Sequence, residues 1–189
     1  MPVTHLTPST YRHMPWKNGL GVTIEIARSP QQGDFDWRVS VARIDRDGPF
    51  STFPGCDRVI VALDGAGMIL THHDTGAAAS LAALEPWRFR GEWTTTCVLR
   101  GGAIRDFNVI TRRDVFSAEV SILVLDAPHS LELAAATTIL YCVSGHALAD
   151  ATPVAPDDTI IIEGAERLSI RPAGDRATLI RAEVSLSNG

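Results

Sequence analysis

Val59-Ile60-Val61-Ala62-Leu63-Asp64-Gly65 and Ile139-Leu140-Tyr141-Cys142-Val143-Ser144-Gly145 share one pattern, an apolar run, a small polar residue and a closing glycine. A run this short, bounded by a turn signal, reads as a buried strand entering a tight reversal. Its recurrence reads as an internal repeat, two stacked halves each built on strand, turn, strand. Asp126-Ala127-Pro128 then serves as the crossover, so residues 1–125 form the first half, with N-terminal strands free to cross over, and 126–189 a smaller, structural second half.

Around this pair, segments 22–27, 37–44, 58–63, 98–99, 104–111, 120–125, 138–143, 159–162 and 177–184 are dense in β-branched and aromatic residues and end in Gly, Pro or Asp. Helical periodicity is not sustained anywhere. The alanine-rich residues 76–84 read as a loop or one helical turn, and the class is all-β, a barrel or sandwich.

A chain of 189 residues with 45% hydrophobic content can fill a core. The net charge of -5 supplies no basic surface for nucleic acid. Cys56, Cys97 and Cys142 are widely separated and lack Cys-x-x-Cys spacing, which argues against a disulfide framework and a thiolate zinc site. The N-terminal residues are polar and Thr/Pro-rich, and no apolar run is long enough to span a bilayer, so the expectation is a cytoplasmic protein with no membrane partner.

Residues two apart on a strand share a face. Thr23 with Glu25, Arg38 with Ser40, and Asp106 with Asn108 therefore form polar faces, while Ile24 with Ile26, Trp37 with Val39 and Val41, and Phe107 with Val109 form apolar ones. Such polar faces look either into solvent or into a cavity. Arg, Asp, Asn and Ser, with their directional hydrogen bonding, suit a ligand better than the Lys/Glu/Thr mixture of an outer face. In Met14-Pro15-Trp16-Lys17-Asn18-Gly19-Leu20-Gly21, Trp16 anchors a glycine turn on which Lys17 and Asn18 supply donors. Phe50 and Phe53, in the Pro/Gly-rich segment before Arg58, read as plugs under a loop. His72-His73 reads as part of a solvated turn.

Pro15-Trp16-Lys17-Asn18-Gly19, Thr23-x-Glu25-Ile26, Trp37-Arg38-x-Ser40-x-Ala42, Gly48-Pro49-Phe50-Ser51-x-Phe53-Pro54-Gly55 with Arg58, and Asp106-Phe107-Asn108 together resemble the HutD/Ves family. Leu20 departs from it, standing where the family tends to have another glycine. The resemblance implies a bicupin, two double-stranded β-helix (RmlC-like jelly-roll) barrels in one chain. It also implies a link to bacterial histidine utilisation, with a ligand such as formylglutamate or urocanate, and for Ves members an appearance under cold or other stress. A metal-binding cupin places two His and a Glu before a strand ending in glycine; counting back from Gly65, those places hold Thr52, Pro54 and Arg58. Neither Thr nor Pro replaces imidazole, and a guanidinium repels a divalent ion, so the first barrel is expected to carry no metal and no cofactor.

The expected ligand-binding set is Lys17, Asn18, Glu25, Arg38, Ser40, Arg58, Asp106 and Asn108, a cluster suited to a small carboxylate or amino-acid derivative. Three readings follow. The favoured one is a non-catalytic metabolite binder that modulates histidine utilisation. The others are a metal-independent isomerase or hydrolase with Glu25 or Asp106 as base and Arg58 stabilising negative charge, and a stress-related structural or interaction protein. Pairing into a homodimer is an expectation from fold analogy alone.

Overall fold

The computed structural model describes residues 3–16, 21–164 and 166–187. Apart from one 3-10 turn at Pro8–Thr10, the regular elements are strands. They run β1 (Val3–Leu6), β2 (Arg12–Pro15), β3 (Val22–Ser29), β4 (Trp37–Ile44), β5 (Gly48–Pro49), β6 (Cys56–Ala62), β7 (Met68–His72), β8 (Ala77–Leu81) and β9 (Pro86–Arg90). Then follow β10 (Thr95–Leu99), β11 (Ile104–Arg112), β12 (Phe116–Leu125), β13 (His129–Glu132), β14 (Thr137–Ser144), β15 (Ala147–Ala149), β16 (Thr152–Val154), β17 (Thr159–Glu163), β18 (Arg167–Pro172) and β19 (Ala177–Leu186). No helix among the described residues is long and apolar enough to cross a membrane.

Contacts divide the chain into one unit of Arg12–Ser117 with Ser187–Gly189 and another of Met1–Tyr11 with Ala118–Leu186. The first holds sheets of order β2-β3-β4-β11-β6-β9 and β5-β10-β7-β8; the second holds β1-β17-β14-β19-β12 and β13-β18-β15-β16. Replacing β4 through β11 by β12 through β19, in order, turns the eight strands common to the two units into one another, with β2 and β3 added at the edge of the first and β1 at the edge of the second, so each unit is built on an eight-stranded cupin barrel and the chain is a bicupin. The quoted repeat is β6 and β14, the same strand of each barrel. The division falls near the start of β12, between Ser117 and Ala118, not at Asp126, and β12 lies beside β19 in the second unit's sheet.

The turn after each repeat strand shows why it must end in glycine. Gly65 and Gly145 have φ of 73° and 74°, and a Cβ would meet Ile104 Cγ2 at 2.8 Å in one and the Arg176 carbonyl at 2.2 Å in the other. The left-handed backbone and the close approach both exclude a side chain.

The following strand turns were less legible. Residues 77–81, expected as loop or helical turn, are β8, paired with β7 and burying Ala79 and Leu81. Alanine is a poor strand former in isolation, and here cross-strand pairing overrides it. His72, expected on a solvated turn, is the last residue of β7 and fully buried. Trp87 Nε1 donates to its Nε2 at 3.1 Å, its Nδ1 lies 2.9 Å from Thr95 Oγ1, and that hydroxyl donates to the Trp93 carbonyl. His73, one residue on, remains exposed.

The two barrels differ inside. In the second unit Leu140, Cys142, Ile160, Ile162, Leu168 and Leu179 form one buried aliphatic core. The register places Thr138 where the first unit has Arg58, and Leu179 where it has Asp106. The first unit buries Ile60, Met68, Leu70, Phe89 and Ile104 as its core and leaves space beside it.

Candidate functional site

That space is a cavity of about 610 Å³ on the inner face of the six-stranded sheet. Strand parity supplies its polar wall. Arg38 and Ser40 come from β4, Arg58 from β6, and Asp106 and Asn108 from β11, all lining the one cavity. Thr23 closes it from β3, held by a hydrogen bond from Trp16 Nε1 at 2.8 Å. The Trp16 ring lies over Gly21, where a Cβ would come within 2.9 Å of the ring.

Arg58, Asn108 and Asp106 form a chain of oriented groups. Arg58 Nη2 donates to Asn108 Oδ1 at 2.6 Å, and Asn108 Nδ2 donates to Asp106 Oδ2 at 3.0 Å. Arg58 Nη1 donates to the Ser51 carbonyl at 3.2 Å. Its guanidinium carbon sits 5.2, 5.4 and 5.1 Å from the ring centres of Phe50, Phe53 and Phe89. Arg38 stacks on Phe53 as well, 5.1 Å away, and on Phe35 from the β3–β4 connection, 4.9 Å away. Phe50 and Phe53, expected as plugs, therefore line the cavity and hold the two cations by cation–π attraction.

Burial dominates the electrostatics. It pulls the Arg58 guanidinium down to about 10, with Asp106 opposing and Arg38 assisting the fall. Arg38 is likewise lowered by burial, with Glu25 opposing. Burial pushes the Asp106 carboxyl up to about 6, against the hydrogen bond from Asn108 and the charge of Arg58. Three buried polar atoms of the site have no partner among the described residues: Arg38 Nε, Arg58 Nε and Asp106 Oδ1. Such atoms are costly unless a ligand or water meets them.

Of the expected set, Arg38, Ser40, Arg58, Asp106 and Asn108 come together. Glu25 does not join the cavity lining; it is buried opposite Ser40, just before a β-bulge that re-aims its strand, and its carboxylate lies 3.9 Å from Arg12. Lys17 and Asn18 lie outside the described residues. Phe35 and Phe89 had no recognisable signal in the sequence, since an isolated aromatic reads as core.

As a metal site the cavity is a poor fit. Its lining holds one carboxylate, Asp106, no imidazole and two guanidiniums, and among the described residues no three His, Cys, Asp or Glu side chains gather to hold an ion. A smaller recess of about 360 Å³ in the other unit includes His5 and Asp158, 3.0 Å apart. There Asp158 accepts the Ala155 N–H, as Glu85 accepts the Ala82 N–H in the equivalent turn, so its carboxylate belongs to turn structure.

The sequence matches the HutD family over residues 8–180. A Pseudomonas putida relative, described as an uncharacterized 21.2 kDa protein in the hutC 3' region, is 40% identical over 143 residues, 75% of this chain and 74% of its own. The structure of HutD from Pseudomonas fluorescens SBW25 aligns with a TM-score of 0.85 at 32% identity, covering 99% of this chain and 100% of that one. A conserved protein of unknown function from Pseudomonas aeruginosa PAO1 gives 0.88 at 31% identity, covering 98% and 100%. Escherichia coli YlbA, at 11% identity, shares the fold alone, with a TM-score of 0.74 over 99% of this chain and 92% of its own.

Proposed function

This chain belongs to the HutD family, and from that premise we propose that the cavity of its first barrel binds a small carboxylate-bearing metabolite without a metal ion. The ligand is an intermediate of histidine catabolism, of formylglutamate or urocanate type, and its binding modulates histidine utilisation. One observation carries the reading: a buried guanidinium, Arg58, and a half-buried one, Arg38, line one cavity, each with a buried Nε that no group among the described residues satisfies. A carboxylate accepts such donors in charge-assisted hydrogen bonds, which are stronger than neutral ones. The name of the Pseudomonas fluorescens neighbour and the hutC-adjacent position of the Pseudomonas putida relative support the link to that pathway.

The test is thermal stabilisation of the metal-stripped protein by histidine, urocanate, formiminoglutamate, formylglutamate and glutamate, with Arg58→Met as control. A ligand at a hundred times its Kd stabilises by about 2.7 kcal/mol. The expected result is a saturable shift with at least one of them that Arg58→Met loses. No shift with any removes the reading.

A second reading has its own observation. Asp106, raised to about 6 and with one oxygen free, is placed to exchange a proton with a bound carboxylate substrate. In that case the same panel, incubated with protein in D2O, shows turnover or exchange at carbon by NMR that Asp106→Asn abolishes. Binding without either leaves the protein a binder.

A further inference from the structure

The cavity's polar groups are laid out end to end. Asp106, Asn108 and Ile110 share one face of β11, and the register sets their neighbours: Ile110 lies between Arg38 and Arg58, Asn108 between Ser40 and Ile60, Asp106 between Ala42 and Ala62. Both arginines thus stand in one cross-strand row, and the lining's carboxylate stands four residues further along, a rise of about 13 Å between Cα atoms. Arg58 reaches back along the wall, but its guanidinium does not meet Asp106 directly; the Asn108 amide stands between them. An amide and two hydrogen bonds span roughly 8 Å. Among the described residues, what is left unmet is a pair of donors at one end, Nε of Arg38 and of Arg58, and one acceptor at the other, Oδ1 of Asp106.

We infer that the cavity selects a two-ended ligand, with a carboxylate on the arginine row and an N–H donor on Asp106, and that Asp106 is the residue excluding molecules whose second end offers a carboxylate and no N–H donor. The inference rests on the carboxylate-binding reading above. An ionised aspartate is acceptor-only. An amide, amidine or ammonium group satisfies Oδ1, whereas a second carboxylate brings like charge and no donor. Asn108 cannot relieve that clash by turning over, because its oxygen is held by Arg58 and its nitrogen by Asp106 itself. Specificity of this kind comes from what the site repels.

Three five-carbon ligands of matched length separate the possibilities: glutarate, glutaramate and 5-aminovalerate. Their affinities for the intact protein are measured by calorimetry at pH 8, where Asp106 is ionised. Glutaramate and 5-aminovalerate are expected to bind, and glutarate at least roughly tenfold more weakly, since like-charge juxtaposition is costly. Asp106→Asn, whose amide can donate, is expected to gain glutarate and lose 5-aminovalerate. Asp106→Ser, with a hydroxyl that both donates and accepts, should level the three.

Glutarate binding the wild type as tightly as glutaramate, or an order of preference unchanged in both variants, overturns the inference. So does failure of both N–H ligands while the histidine-pathway panel stabilises the protein. Failure of that panel and of all three ligands together removes the carboxylate reading itself.

Discussion

Arg58 and Asp106 are buried charges that the fold does not fully satisfy, and substitution of Asp106 should show it. Burial holds the Asp106 carboxyl near 6, above the ordinary value of about 3.9 it takes in an unfolded chain. Between those values the native state binds more protons than the unfolded one, so this group adds stability as pH falls through 6 toward 4 and withdraws it above 6. Asp106→Asn should therefore be more stable than wild type at pH 7 to 8, by on the order of 1–3 kcal/mol, with the difference closing as the pH approaches 4; urea melts of both proteins across that range check it. Phe53 touches both Arg38 and Arg58, so Phe53→Leu keeps an apolar contact but loses two cation–π contacts of about 0.5–2 kcal/mol each. It should weaken ligand binding more than it lowers the melting temperature. At this scale parity alone placed Arg38, Ser40, Asp106 and Asn108 on cavity-facing positions, because alternation on a paired strand is geometric. Glu25 keeps the same register, opposite Ser40 and ahead of the bulge, yet lies buried outside the cavity lining, and parity could not see that Phe53 stacks between two cations.

The turns and short strands respond to backbone geometry instead. Gly145→Ala adds a Cβ to a left-handed residue 2.2 Å from the Arg176 carbonyl and should cost more than about 3 kcal/mol. Gly76, also left-handed but with nothing within 4 Å, should lose only about 1–2 kcal/mol on the same change; denaturant midpoints compare the two. His72 carries a related test on β7. Thr95 spends its proton on Trp93, so His72 Nδ1 must donate to Thr95 and Nε2 must accept from Trp87; the ring is held neutral, and burial lowers its pKa. Native stability is then full above the unfolded value of about 6.5 and falls as the pH drops below it, where the unfolded chain takes up the proton first. His72→Ala should cost about 2–4 kcal/mol at pH 8, and the deficit relative to wild type should shrink by pH 5. Long strands such as β4 and β11 were legible because alternation persists over many residues. β8 and β15 were not, since three to five alanine-rich residues become strands only when a neighbour pairs with them.

Across the whole chain, the same eight-strand order occurs twice around unlike interiors. Hydrogen exchange with a stabilising member of the histidine-pathway panel should slow in β4, β6 and β11, which line the cavity, and leave the aliphatic core strands β14, β17 and β19 unchanged. The sequence by itself determined the all-β class and the repeat, because an apolar run closed by a glycine with positive φ is a local requirement written in consecutive residues. It also determined which side chains share a face, through the period of two. Only tertiary structure decided which of the two barrels keeps a polar cavity and which fills with leucine and isoleucine. It also set the chain division near the start of β12 and the near-linear order of guanidiniums, amide and carboxylate along the wall. Those outcomes depend on the register between strands far apart in sequence, and cross-strand register is a property of pairing that no single strand encodes.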